Sequence, residues 1–381
     1  MTTESPTSVP VSIDDPTNVV ILAVAEDQLG GFQHDPLSEI SRRSGIEVAT
    51  IAERLRAMLE AGVIRRVRQT MVANRLAEGA LVAWQVPREQ VNEAFDYLFT
   101  QDPASGHVVI RTTDNETAGS AYRLWTTLKV PQGYSIEAHC NLLAERIGAL
   151  RYRAMPAQAL FILGVGHVRR RGMEPGSRSA EPGRVTTTDI VPLDDLDWQV
   201  MTAFKREFEP HELTTDLWRA RAEEAGVSFE TFCEVAESLD KRGVLGRFST
   251  FLEHSKSLSG GERVTNFNAL FHWKVPVGME MAAGIEVGRH DVMTHAYWRD
   301  AGPEFGDVNV MGVAHSSTDK QYLLDHKAAI DSHLEEASIP IGYSNVFWGG
   351  RSEIKPSEIS PVAYREWCAG IGVDHASLRI A

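Results

Sequence analysis

The sequence predicts an α+β protein built twice over in one chain, each half opening with helices and closing with a βαββαβ run. Three observations predict it. Gly62-Val63-Ile64-Arg65-Arg66-Val67 returns as Gly243-Val244-Leu245-Gly246-Arg247-Phe248, and Trp84-Gln85-Val86-Pro87 returns as Trp273-Lys274-Val275-Pro276. Near the end of each half, Leu160-Phe161-Ile162-Leu163-Gly164 is matched by Val346-Phe347-Trp348-Gly349-Gly350. Three matches in one order mark an internal duplication, and the longer second offset fits an insertion around Ser257–Arg263.

The helical openings come first. Val19–Glu26 is followed by Pro36-Leu37-Ser38-Glu39-Ile40 and a turn at Ser44-Gly45-Ile46. A third helix runs from about Val48 to Glu60, with Ile51, Leu55, Met58 and Leu59 at helical spacing and Gly62 as its stop. Helix, turn, helix and then the short strand of VIRRVRQTMV is the pattern of a winged helix-turn-helix. The second half repeats it over Trp198–Phe208, Asp216–Ala225, Ser228–Lys241 and Val244–Leu252.

After each winged helix comes a strand ending in Val-Pro. In the first half Ala80–Val86 leads to helix Glu89–Phe99, strands Val108–Ile110 and Tyr122–Lys129, helix Tyr134–Leu143 and strand Ala159–Leu163. In the second half Asn268–Val275 leads to helix Met279–Val287, strands Val292–Arg299 and Val308–Ala314, helix Lys320–Ala337 and strand Asn345–Trp348. The order βαββαβ is the ferredoxin-like split unit, a sheet with helices on one face. Its other face needs covering, by the other half or by a second chain in a homodimer through the sheets.

This reading divides the chain into a disordered tail over 1–17, a winged helix over 18–78 and a ferredoxin-like domain over 79–168. A linker rich in Arg, Gly, Pro, Ser and Thr spans 169–191, then a winged helix 192–255 and a ferredoxin-like domain with C-terminal tail 264–381.

With 381 residues, 43% hydrophobic and 24% charged, the chain has the composition of a soluble globular protein. No apolar run approaches a membrane span, and the N-terminus lacks the basic start and apolar core of a signal peptide, so a cytoplasmic protein is expected. Cys140, Cys233 and Cys368 are scattered, with no CxxC pair, which argues against a disulfide framework or structural zinc. Walker, dinucleotide and HExxH motifs are absent from the sequence.

The chemistry is expected in Arg289–Ser316. Strand alternation puts His295, Tyr297 and Arg299 on one face, with Ala296 and Trp298 on the other. A proton donor, a phenol and a fixed cation on one face suit an anionic substrate, and His315 joins them if the faces of the two strands agree. A DNA-reading role is disfavoured. The net charge is −14, and Glu223 to Asp240 carries six acidic residues without one Lys or Arg, so no specific DNA binding is expected.

The architecture resembles the Lrp/AsnC group of amino-acid-responsive regulators. It more closely resembles the siroheme decarboxylases, which use that architecture as two related subunits or one fused chain. The residues that carry this are Ile64-Arg65-Arg66, Trp273-Lys274-Val275-Pro276, and Thr294-His295-Ala296-Tyr297-Trp298-Arg299, matching Ser/Thr-His-x-Tyr-x-Arg. Asp307-Val308-Asn309-Val310-Met311 with Ala314-His315, and the run from Phe347 to Ser360, add to it. The first half departs: Val109-Ile110-Arg111-Thr112-Thr113 stands where His and Tyr would sit, and its next strand ends in Lys129 rather than His. It is therefore expected to be a supporting copy that supplies walls and cations. Glu304-Phe305-Gly306-Asp307 and the tail Arg351-Ser352-Glu353-Ile354-Lys355-Pro356 also depart from the family pattern.

The resemblance implies an iron tetrapyrrole, with siroheme as substrate or haem as cofactor. Such a ligand needs an apolar slot and cations for its carboxylates. Trp84, Trp273, Trp298, Phe347 and Trp348 are candidate walls. Arg65, Arg66, Arg111, Arg247, Arg299 and Arg351 are candidate clamps, because guanidinium binds carboxylate through two hydrogen bonds. His295 and Tyr297 are candidate proton donors for non-oxidative decarboxylation, and His295 is equally a candidate iron ligand. His315 and His290 stand in reserve; His272 precedes Trp273 and faces away from it. Two other readings stay open: a haem-dependent enzyme of this fold running an oxidative reaction, and a ligand-responsive transcriptional regulator.

Overall fold

The computed structural model describes residues 9–163, 172–186, 189–253 and 265–380. In chain order the first half gives α1 (Pro16–Ala25), β1 (Leu29–Gly30), α2 (Pro36–Ser44), α3 (Val48–Glu60), β2 (Ile64–Met71), β3 (Glu78–Gln85), α4 (Val91–Thr100), β4 (Ser105–Thr112), β5 (Leu124–Val130), α5 (Ile136–Ile147), β6 (Arg151–Pro156) and β7 (Ala159–Leu163). The second gives α6 (Asp195–Phe204), α7 (Leu217–Glu224), α8 (Phe229–Lys241), β8 (Leu245–Leu252), β9 (Phe267–Lys274), α9 (Glu280–Gly288), β10 (Met293–Trp298), β11 (Val310–Ser316), α10 (Lys320–Glu336), β12 (Tyr343–Ile354) and α11 (Pro361–Gly370). Local chemistry sets several boundaries. Asp15-Pro16, Asp35-Pro36 and Ser360-Pro361 each cap a helix and pre-set its first φ, while Gly45 and Gly148 end α2 and α5 in the left-handed conformation.

The described residues form two compact units that do not coincide with the two halves. One holds both winged helices, within 9–73 and 191–253. Their strands β1, β8 and β2 make one antiparallel sheet, so the first wing pairs with the second. This joins edges that would otherwise stay open.

The other unit holds both ferredoxin-like domains. Its strands form a sheet of order β6-β3-β5-β4-β12-β9-β11-β10-β7 among the described residues. Each half passes a strand to the other. β7 of the first half pairs with β10 of the second, and the far end of β12 pairs with β4 of the first. Since β6 and β7 occupy opposite edges yet are adjacent in sequence, the sheet folds over and packs on itself. Two cores lie under the helices. One joins Trp84, Phe95, Val108 and Leu143; the other joins Phe161, Phe271, Trp273, Leu323 and Ile330. A third lies between the sheet layers, where Ala83, Val109, Trp125 and Met155 meet Leu270, Phe305, Met311 and Phe347. The two halves therefore cover each other face to face within one chain.

Three features differ from expectation. β6 was not anticipated, because Arg151-Tyr152-Arg153 masks its short alternation. The stretch after the last strand is not a loose tail. α11 packs Tyr364 and Cys368 into the first half's core, and Tyr364 Oη lies 2.6 Å from Nδ1 of buried His139, whose Nε2 meets Asp102 at 3.1 Å. Residues 9–15 are ordered too: Ile13 is buried and Asn18 bonds the carbonyls of Pro10 and Ser12. The linker's described part pairs with both halves, Arg178 with His290 of the second and Thr186 with Leu160 on β7 of the first. The expected insertion around Ser257–Arg263, and linker residues 169–171, 187 and 188, lie outside the described residues.

Candidate functional site

Strand alternation decides which side chains enter the space between the layers. On β10, Ala296 belongs to the helix-side core, while His295 and Tyr297 pair across with Val313 and Met311 of the inter-layer core. The same parity turns His315 of β11, Asn268 of β9, Arg111 of β4 and Lys129 of β5 inward. One end of this inner face is closed by aromatic packing: Trp125 lies 5.1 Å from Phe347 and 5.5 Å from Phe305, ring centre to ring centre. Towards the other end His295, Tyr297, His315, Asn268, Thr127, Lys129, Leu81 and Val313 are only half-buried, so solvent reaches it.

A register shift at Thr294 lets its hydroxyl turn back to the carbonyl of Val313, at 2.9 Å. A hydrogen-bonded row crosses the sheet from there. Arg111 Nη1 donates to Asn268 Oδ1 at 3.0 Å, and Asn268 Nδ2 donates to His315 Nε2 at 2.8 Å. His315 Nδ1 and His295 Nδ1 lie 3.4 and 3.1 Å from Thr294 Oγ1. The Thr294 proton is used on Val313, so both imidazoles donate from Nδ1 in this network. Beyond it, the Tyr297 ring is stacked with that of His295, and the Arg299 guanidinium lies 4.6 Å from the Tyr297 ring centre. Arg299 Nη1 also donates to the Met155 carbonyl of the first half.

Burial shapes the electrostatics. It pushes the Tyr297 phenol up to about 12 against the pull of Arg299, so the hydroxyl keeps its proton at neutral pH. Arg111 and Arg299, 4% and 7% exposed, are each pushed down to about 10 by burial. Lys129 is pushed down to about 8 by burial and then by Arg299. None of these three cations has an ion pair with a carboxylate among the described residues, and Nε of both arginines is buried without a partner. Buried charge is tolerated when paired, so the arrangement calls for an anion.

The remaining expected residues fall elsewhere. Trp273 and Trp298 face the helices: Trp273 is fully buried and donates to Asp331 Oδ1 at 2.6 Å, and Trp298 donates to Asp300. Alternation puts both opposite to His295, so they are walls of the helix-side core. Trp84 and Trp348 do the same, and of the candidate walls Phe347 lies between the layers. Arg65 and Arg247 belong to the winged-helix unit, where Arg65 sits at the irregularity between Ile64 and Arg66 and Arg247 Nε reaches the Glu26 carbonyl at 3.4 Å. Arg66 pairs there with Glu207. Arg351 is exposed and pairs with Asp96. His290 is buried against His333 under the helices, and His272 sits inside the aromatic plug. Asn268 and Lys129 were missed as site residues. The signal for Lys129 was its place opposite His315 in the duplication; Asn268 had none, because its role depends on register.

The AsnC-like ligand binding domain family matches residues 76–161. A crystal structure of the siroheme decarboxylase NirDL superposes with a TM-score of 0.63 at 19% identity, covering 93% of this chain and 98% of the other. The fold is shared with that protein. A second structure, NirDL in co-complex with an iron-uroporphyrin III analogue, gives a TM-score of 0.62 at 18% identity and covers 93% and 99%. No curated protein matches by sequence. No helix among the described residues is long and apolar enough to cross a membrane.

Proposed function

We propose that this chain is a tetrapyrrole-binding enzyme that removes acetate carboxylates from siroheme without an oxidant. The observation that carries the reading is the set of inward cations, Arg111, Lys129 and Arg299, which lack a carboxylate partner among the described residues and stand beside His295 and Tyr297. The NirDL structures, one of them holding an iron-uroporphyrin III analogue, support the macrocycle as the ligand class. The residues fit such a group. Cations stand ready for its carboxylates, half-buried Leu81 and Val313 offer apolar surface, and the His295 imidazole is a ligand type suited to iron. No cluster of three or more His, Cys, Asp or Glu placed to hold a metal occurs among the described residues; a metallated macrocycle brings its own ring nitrogens.

In the reaction the bond between an acetate methylene and its carboxylate breaks, carbon dioxide leaves and the electron pair stays on the methylene. A proton then completes a methyl group. Tyr297 is the donor this site supports, since burial keeps its hydroxyl protonated and Arg299 lies over its ring to steady the phenolate until it is reprotonated. The acidic surface of α8, with Glu230, Glu234, Glu237 and Asp240, gives no support to DNA reading.

The test is to titrate the purified chain with iron uroporphyrin III and to incubate it anaerobically with siroheme. Binding should shift the Soret band, and mass spectrometry should show loss of carbon dioxide from acetate groups. His295→Ala should alter the Soret position or abolish turnover in a folded protein. A wild-type spectrum that no iron tetrapyrrole changes would remove the reading.

A further inference from the structure

Lys129 is a cation that the His-x-Tyr-x-Arg strand does not explain. It lies near the end of β5, where the equivalent strand of the second half carries His315. Gly79 stands directly opposite on β3, and the lysine stem crosses it: a Cβ placed on Gly79 would meet Lys129 Cγ at 3.0 Å and Cε at 3.7 Å. The missing side chain at Gly79 gives the lysine its course along the inner face. Arg299 arrives at the same place from the second half. Its guanidinium bonds the Met155 carbonyl, and Met155 pairs with Leu81, two residues from Gly79 or about 7 Å along β3. Two cations from different halves thus come within electrostatic reach of each other on apolar strands, with no carboxylate partner among the described residues.

We propose that Lys129 and Arg299 form a two-sided clamp for a carboxylate of the bound ligand, so that the first half is a working part of the site. The clamp rests on the tetrapyrrole reading only for the macrocycle; the need for an anion follows from the two cations themselves. The Arg111–Asn268–His315 row forms a second cationic pole. His295 and Arg299, four residues apart, lie about 13 Å from each other along the chain direction of β10, and Arg111 meets Asn268 on β9, two strands further across the sheet, so the two poles stand farther apart than that. A polycarboxylic ligand spanning both poles would be recognised where a monocarboxylate would not. The lowered pKa of Lys129 agrees with this, since an arriving carboxylate would restore its charge.

The experiment compares wild type, Lys129→Met and Lys129→Arg in the full chain. Two probes are used: iron uroporphyrin III, followed by its visible spectrum, and benzenehexacarboxylate, a polyanion without a macrocycle, followed by thermal shift. Lys129→Met should weaken binding about tenfold or more, and Lys129→Arg should restore most of it. Without ligand, Lys129→Met should melt about 2–4 °C higher, because a half-buried charge that feels the Arg299 charge and has no carboxylate partner among the described residues is removed. If iron uroporphyrin III fails to bind wild type but benzenehexacarboxylate stabilises wild type and not Lys129→Met, the clamp stands and the macrocycle assignment falls. Wild-type affinity in folded Lys129→Met, or no binding of either probe by wild type, overturns the clamp.

Discussion

Stability should fall on mild acidification through His272, and the size of the fall can be worked from its surroundings. The side chain is 1% exposed, with its ring 5.0 Å from that of Phe347 and 6.0 Å from that of Trp125. Its Nε2 has no partner, and burial, with Arg111 adding to it, pushes the imidazole from 6.5 down to about 3. A base whose folded pKa is depressed takes up its proton first in the unfolded chain. Its contribution is therefore complete above about 6.5 and is lost as pH falls towards 3. Between pH 7 and pH 5 that loss is about 2 kcal/mol. His290, also buried and lowered to about 3, adds a slope of its own. His272→Phe keeps a ring in the plug and removes the proton site. Urea titrations followed by circular dichroism should show the mutant losing about 2 kcal/mol less than wild type over that interval. Identical pH slopes for the two proteins would refute a neutral, buried His272.

Two further outcomes test the architecture. Arg111→Met and Arg299→Met should each weaken iron uroporphyrin III binding about tenfold or more without lowering the melting temperature; wild-type binding by Arg111→Met would remove Arg111 from the site. Tyr364→Phe should destabilise the chain by about 1–3 kcal/mol by leaving Nδ1 of His139 unpaired in the core, and deleting residues 361–380 should cost on the order of 5 kcal/mol through loss of Tyr364, Cys368 and Leu378 from it. Unchanged denaturation midpoints would show that α11 is not part of that core.

Much of this protein is determined by its sequence alone. The duplication is visible because Gly-Val and Trp-x-Val-Pro recur in order, and the helices and most strands follow from periodicity and caps. The shared face of His295, Tyr297 and Arg299 follows from two-residue alternation, which is a local property of any strand. That the inner partners of this face are Asn268, Arg111 and Lys129 was decided by tertiary structure. It required β7 and β12 to cross between halves and the sheet to close on itself, pairings between segments far apart in the chain. The same closure decided that the face opposite His295, with Trp273 and Trp298, is the one covered by helices, and Arg65 and Arg247 fell in the other unit. Composition shows how many cations a chain has; only packing shows which of them are buried without a counter-charge, because desolvation depends on what lies across the interface and not on the neighbours in sequence.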